Sequence, residues 1–216
     1  MQRLRENNVV SSMAAAMILE QDTRWMLSVQ AGDAASFGLL LEKYRAPIVN
    51  YLYRMVHNHA VAEELAQDVF VRVYRSRMIY QPSAKFTTWL FRIATNVALN
   101  WRRDERYDTA QLRIEDFSSH ARRFDPPDSR RSVEALMVNE VRVEEIRAAI
   151  RSLPDKQQAA VLMHKYEEME YVQIALALGC SVQAVKSLLF RAYETLRCRL
   201  AHFQMPAAKT ACGSAS

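Results

Sequence analysis

Glycine is scarce in this chain, with four in 216 residues, while half of all residues are hydrophobic. That balance disfavours a turn-rich β architecture and favours helix over sheet. Cysteine is scarce as well. Cys180, Cys198 and Cys212 are odd in number and widely spaced, so they supply neither a disulfide framework nor metal-ligand spacing. A reducing cytoplasm is the simplest setting for them, and Cys180 reads as a small buried apolar residue. No apolar run approaches the roughly 18 residues that cross a bilayer. Arg3 and Arg5 ahead of Met13-Ala-Ala-Ala-Met-Ile-Leu19 imitate a signal peptide, but the run is short and Glu20 and Asp22 follow, so none is expected. His57 and His59 have no cysteine or acid cluster beside them and read as solvated turn histidines. Nothing here suits a nuclease or metallo-hydrolase. No catalytic residue, metal, cofactor or small-molecule substrate is expected. The net charge of +5 is compatible with a polyanionic partner.

What the chain does have is concentrated in Lys85-Phe-Thr-Thr-Trp-Leu-Phe-Arg-Ile-Ala-Thr-Asn-Val-Ala-Leu-Asn-Trp-Arg-Arg103. Thr87 or Thr88 is suited to cap a helix N-terminus. Leu90, Ile93, Ala94, Val97 and Trp101 then form one apolar stripe at helical spacing. The opposite side carries Arg92, Asn96, Asn100 and Arg103, and no acid occurs between Lys85 and Arg103. Cations meet phosphates, amides pair with base edges, and the rings of Phe86, Trp89 and Phe91 offer faces to an unstacked base. Taken alone, the segment fits equally a core helix with a basic exposed face.

Residues 1–20 read as a poorly ordered lead-in. A short helix is expected over Asp22–Ala31, with Trp25, Met26 and Val29 inward, ended by Gly32-Asp33. Asp33 then caps a helix carrying Phe37, Leu40, Leu41, Tyr44, Ile48, Tyr51, Leu52 and Met55, in which Pro47 predicts a kink or boundary near Ala46. A third helix over 60–78 has Glu63 and Glu64 in its first turn and Arg72, Arg75 and Arg77 at its end, as the helix dipole favours. Leu65, Val69 and Val73 face inward. Phe70, Val71 and Tyr74 then form a second apolar face beside Gln67, Asp68 and Arg72, for a partner or for another helix of the same domain. Residues 107–132, with Pro126-Pro127 and little periodicity, read as an extended linker.

A second helical unit follows. Val133–Ser152 is periodic, and Asp155 is suited to cap Gln157–Tyr166, with Ala160, Val161 and Met163 inward. Glu167, Glu168 and Glu170 read as a solvated acidic run. From Tyr171 to Ala192 the spacing is that of a helix-turn-helix: Ala175 is small where two helices cross, Gly179 supplies the turn, and Ser181 caps the second helix. With Val185, Leu188 and Leu189 inside, that helix exposes Gln183, Ala184, Lys186, Ser187 and Arg191, a set suited to a major groove. Residues 201–216 are a small-residue tail without a fold signal.

Three stretches in this order resemble the sigma-70 family of bacterial transcription initiation factors, and most of all its small extracytoplasmic-function class. They are Ala62–Tyr74, Phe86–Arg103, and Leu153-Pro154 followed by the helix-turn-helix to Arg197. The resemblance implies an all-α chain of two small helical domains. Residues 21–106 would be region 2, 107–132 a linker threading toward the polymerase active-site channel, and 133–200 region 4, between the lead-in and the tail. It implies that Gln67, Asp68, Phe70 and Val71 grip the β′ coiled coil of core RNA polymerase. It implies that Lys85, Phe86, Trp89, Arg92, Asn96 and Arg103 read and melt the −10 element. Ser181, Gln183, Ala184, Lys186, Ser187 and Arg191 would bind the −35 duplex, with region 4 also touching the β flap. The implied partners are core polymerase, promoter DNA and an anti-sigma factor able to hold the chain at the inner membrane face. Ala184, Leu188 and Tyr193 depart from the family's pattern, in which Thr or Arg is common there. The alternative is a helix-turn-helix regulator that does not bind core polymerase, which would have no use for a base-stacking surface.

Overall fold

The computed structural model describes residues 20–112 and 133–204. The expected lead-in up to residue 19, the linker from residue 113 and the tail from residue 205 lie outside the described residues. Among those described, the regular structure is helical and no strand occurs, as the glycine-poor composition predicts.

Helix α1 (Gln21–Gln30) buries Met26 and Val29 and is tied to the next helix through Asp22, whose carboxylate accepts from Lys43 Nζ at 2.6 Å and Tyr44 Oη at 2.6 Å. Helix α2 (Ala34–Val56) starts where expected, with Asp33 accepting from the Ala35 amide at 2.9 Å. It runs through Pro47 without the expected boundary. Proline removes one backbone bond, but Tyr44 on one side and Ile48, Tyr51, Leu52 and Met55 on the other are all buried on the same core, and that packing holds the helix together. His57 ends α2 in the left-handed region (φ 59°), and Asn58 caps helix α3 (His59–Arg75) by accepting from Val61 N. A 3₁₀ turn over Arg77–Ile79 follows.

Helix α4 (Phe86–Leu112) is the longest element and extends into the segment expected to be linker. Thr87 and Thr88 lie inside its first turn instead of capping it, and the Thr88 hydroxyl is buried without a hydrogen-bond partner. Helices α1, α2 and α3 all pack on α4, around Leu90, Phe91, Ala94, Val97 and Ala98. Within this core the Tyr51 and Thr95 hydroxyls meet at 2.8 Å.

The second unit comprises α5 (Val133–Arg151), α6 (Asp155–Lys165), α7 (Tyr171–Leu178) and α8 (Val182–Arg199). Ala160, Val161 and Met163 are buried as expected. Asp155 does not cap α6; Pro154 takes that position without a side-chain bond. Glu170 and Gln173 form a reciprocal cap on α7, so the acidic run is partly structural. Helices α7 and α8 meet at 100° across Gly179 (φ 61°), within the range of helix-turn-helix motifs. Ser181 caps α8 by accepting from the Ala184 amide at 3.1 Å.

The two units are not merely tethered. A single apolar core runs through both, with α7 packed on α4 and α6 meeting α2. At the seam Gln158 is fully buried. Its Nε2 donates to the Arg54 carbonyl at 2.7 Å and faces His57 Nε2 at 3.3 Å, and its Oε1 accepts from Arg102 Nη1. Arg102 also pairs with Asp155 at 3.2 Å, Arg106 reaches the same carboxylate, and the Arg54 guanidinium lies 4.1 Å from the Tyr166 ring centre. His57 is therefore a seam residue, not the solvated turn histidine expected from sequence.

Two outcomes are expected. No atom lies within 4 Å of where a Cβ would stand on Gly179, so Gly179→Ala should carry only the left-handed backbone penalty, about 1 kcal/mol, read as a lower denaturant midpoint at unchanged slope. Burial, first, and then the charges of Arg151 and Arg102 push the His57 imidazole down from its ordinary value near 6.5 to about 4. The unfolded chain thus takes up a proton that the fold refuses, so stability present above pH 6.5 is lost as pH falls toward 4, by about 2 kcal/mol once the shift is discounted for the solvent that still reaches the ring. Urea titrations across this window should show a smaller loss in His57→Asn, since Asn tolerates the left-handed backbone.

Candidate nucleic-acid interface

Helix α4 divides its side chains between two media. Arg92, Asn96, Asn100 and Arg103 are exposed and fall on one face by helical spacing. Arg103 pairs with its neighbour Asp104 at 3.3 Å across an exposed surface, a contact that contributes little and leaves the guanidinium open to phosphate. Lys85 is exposed and pairs with Glu20 at 3.0 Å.

The aromatic rings behave differently from one another. Phe86 is only 1% exposed, with its ring 5.6 Å from Tyr44, 6.2 Å from Tyr80 and 6.0 Å from Trp89. It is a core residue and presents no face to a base in this conformation, contrary to the stacking role expected of it; Phe91, set edge-on to Tyr51 at 5.2 Å, is buried too. Trp89 is half-buried on Tyr80 at 4.9 Å. Tyr107, one turn beyond Arg103, is 67% exposed and falls in the stretch expected to be linker. Continuing the helical period past Arg106 would have found it.

On α3 the expected partner-binding set splits in the same way. Gln67 and Val71 are exposed, and Asp68 pairs with Arg72 at 2.9 Å. Phe70 is 6% exposed, so it turns inward and its place on the surface is taken by Tyr74, whose ring meets Phe37 edge-on at 5.1 Å. Gln67, Val71 and Tyr74 stand at i, i+4 and i+7 and make one stripe, continued in chain order by exposed Met78 and Ile79.

On α8, Gln183, Lys186, Ser187 and Arg191 are exposed, and Ala184 is half-buried. The Ser181 hydroxyl is occupied as the cap, and that of Ser187 donates to the Gln183 carbonyl at 3.1 Å. Val185 and Leu189 are buried, as predicted. Phe190, one position past Leu189, is 67% exposed between Ser187 and Arg191 on this polar face. Sequence reasoning missed it, although the assignment of Val185 and Leu189 to the inside already required it. Tyr193 is turned away toward His164, whose Nδ1 lies 3.0 Å from its hydroxyl.

The chain matches the family profile "Sigma-70 region 2" over residues 40–107 and "Sigma-70, region 4" over residues 143–196. It is 31% identical over 183 residues to the RNA polymerase sigma-H factor of Pseudomonas aeruginosa, covering 82% of this chain and 92% of that one. It is 29% identical over 175 residues to the ECF RNA polymerase sigma-E factor of Escherichia coli K12, covering 78% and 88%. Among solved structures it resembles CnrH in complex with the cytosolic domain of CnrY, with a TM-score of 0.61 at 20% identity over 85% of this chain and 99% of that one. It also resembles the sigma factor RpoE in complex with the anti-sigma factor NepR from Bartonella quintana, with a TM-score of 0.60 at 19% identity over 76% and 96%.

Because Phe86 is core and Trp89 only half-buried, their truncations part company. Phe86→Ala should cost about 3–5 kcal/mol of unfolding free energy, and Trp89→Ala clearly less, in chemical denaturation of the free protein.

Proposed function

The chain belongs to the sigma-70 family of RNA polymerase sigma factors, and from that premise we propose how its surfaces divide the work. As a sigma factor it binds core RNA polymerase, recognises the −35 and −10 promoter elements and promotes promoter melting, so its task is binding. Its partners are core polymerase, promoter DNA and an anti-sigma factor, and its place is the cytoplasm where polymerase works. An anti-sigma factor seated in a membrane would hold it at the inner face.

Residues 21–106 act as the polymerase- and −10-binding unit, and residues 133–200 as the −35 unit. The observation that carries this division is the polar face of α4. It keeps Arg92, Asn96, Asn100 and Arg103 in water although α1, α2, α3 and α7 all pack against the helix. Opening a duplex means pulling bases from the stack at a cost of a few kcal/mol, and stacking returns about 1–3 kcal/mol per base. Trp89 supplies the ring for an unstacked base, Asn96 the amide for its hydrogen-bonding edge, and Lys85, Arg92 and Arg103 the backbone cations. Phe86 supports Trp89 from beneath at 6.0 Å. The stripe Gln67, Asp68, Val71 and Tyr74 meets the β′ coiled coil, and Phe70 shapes it from inside. On α8, Gln183, Lys186, Ser187 and Arg191 face the −35 duplex around Phe190, an apolar group suited to a thymine methyl. Ser181 and Ala184 set the helix end that approaches the groove.

Size-exclusion co-elution with purified core RNA polymerase tests this reading. Wild type should co-elute stoichiometrically, and Asp68→Ala with Val71→Glu should weaken the complex by about tenfold or more while leaving the circular dichroism spectrum unchanged. Failure of the wild type, shown to be folded, would favour the duplex-binding regulator. In the polymerase-bound form, Trp89→Ala should lose about 1–3 kcal/mol of affinity for DNA with an exposed non-template −10 strand, against little loss for the closed duplex.

A further inference from the structure

Residues 76–85 connect α3 to α4, and little of their own holds them in place. Met78 and Ile79 are exposed, and within this stretch Tyr80 alone is buried. The Tyr80 ring stands 4.9 Å from Trp89 and 6.2 Å from Phe86, so one buried loop residue forms the wall behind the indole. Backbone bonds inside the loop use the carbonyls of Ser76, Arg77, Gln81 and Lys85. Those of Met78 and Tyr80 are met from α1. Gln30 Nε2 donates to the Met78 carbonyl at 3.0 Å and lies 3.5 Å from the Tyr80 carbonyl.

Gln30 is the last residue of α1 and only partly exposed, and α1 packs on both the 3₁₀ turn and α4. At the other end of α1, Glu20 pairs with Lys85 at 3.0 Å. Both groups are exposed, and such a pair contributes little. One side-chain amide therefore does most to set where the loop backbone stands against the core.

We infer that Gln30 is a positioning residue for reading the opened −10 strand, holding the Met78 and Tyr80 carbonyls so that the Tyr80 ring fixes Trp89 before a base arrives. The inference rests on the reading of Trp89 as the ring that receives an unstacked base. An indole already fixed binds a base more tightly than one ordered on arrival, because its ordering no longer opposes binding. Without the amide, the loop backbone shifts, the Tyr80 wall moves with it, and Trp89 gains freedom that the base must then remove.

The test uses the holoenzyme, formed from the full chain and core RNA polymerase. The probe is a fluorescein-labelled fork DNA that wild-type holoenzyme selects from a library randomised over its single-stranded segment, beside the same fork made abasic throughout that segment. The abasic fork keeps the phosphates and lacks the bases, so the ratio of the two affinities reports base contacts. Trp89→Ala should lower that ratio by about fivefold or more. Gln30→Ala should lower it by about threefold to tenfold, with affinity for the abasic fork and co-elution with core polymerase unchanged. Gln30→Lys restores a long donor and should recover most of the loss, while its added charge acts on both forks and cancels in the ratio. In the Trp89→Ala background Gln30→Ala should add nothing, since the two act as a unit. In the free chain, amide exchange at Ile79, Tyr80 and Ser83 should quicken about threefold or more in Gln30→Ala, with that of α4 unchanged. A ratio unmoved by Gln30→Ala, an equal loss on both forks, or a full further loss in the Trp89→Ala background would each overturn the inference. The reading of Trp89 would stand through all three as long as Trp89→Ala lowers the ratio. A ratio untouched by Trp89→Ala would instead remove that reading, and the inference with it.

Discussion

Helix α4 has to bury one side and keep the other wet, and the rest of the molecule is arranged by that requirement. Leu90, Ala94, Val97 and Ala98 are removed from water by α1, α2 and α3, at roughly 25 cal/mol for each Å² of apolar surface covered. The same helical period that delivers them to the core holds Arg92, Asn96, Asn100 and Arg103 on the outside. A loop could carry the same four polar groups, but not at fixed spacing. Their separation along a nucleic-acid strand is set by the rise of a helix whose other side is locked in place. The rigidity of the reading surface is therefore a by-product of its burial.

The seam obeys a second rule, that a buried polar group needs partners. Gln158 sits where an apolar side chain would cost less to bury, and it is tolerated because its oxygen takes Arg102 and its nitrogen gives to the Arg54 carbonyl. Leaving either half unpaired would cost about 1–3 kcal/mol. Polar contacts of this kind are directional, so they fix how the second unit sits on the first, whereas the apolar contacts around them fix only that it does. The neutral state enforced on His57 belongs to the same arrangement, since burial first, and then the positive charges of Arg151 and Arg102, disfavour an imidazolium there.

Local chemistry made most elements legible from sequence. Asp33 and Ser181 announce helix starts by their capping oxygens, Gly179 announces a turn by its backbone freedom, and the three-and-four spacing of α2, α3 and α8 places most of their inner faces, Phe70 excepted. The misses share a cause: each depended on something far away in sequence. Pro47 looked like a break because its lost backbone bond is visible locally, while the core that compensates for it is not. Asp155 looked like a cap because the arginines that claim it lie some fifty residues earlier. Phe86 and Phe70 look like contact residues because an aromatic beside polar neighbours reads as surface until the core around it is known: Tyr44 and Tyr80 pack on Phe86, and Phe70 joins the same buried cluster. Tyr107 and Phe190 follow from helical periodicity alone once the helix is continued past Arg106 and the inner face is closed at Leu189.

The single apolar core through both units has a genetic consequence. Ile174 and Ala175 lie on α7, in the unit whose neighbouring helix carries the major-groove face, yet they belong to the same buried cluster as Leu90 and Ala94. A lesion at either would weaken the support of α4 as well as its own helix pair. Selection for loss of function would then return alleles scattered over both halves of the gene with one shared phenotype, and the position of an allele would not by itself reveal which promoter element its carrier had stopped reading.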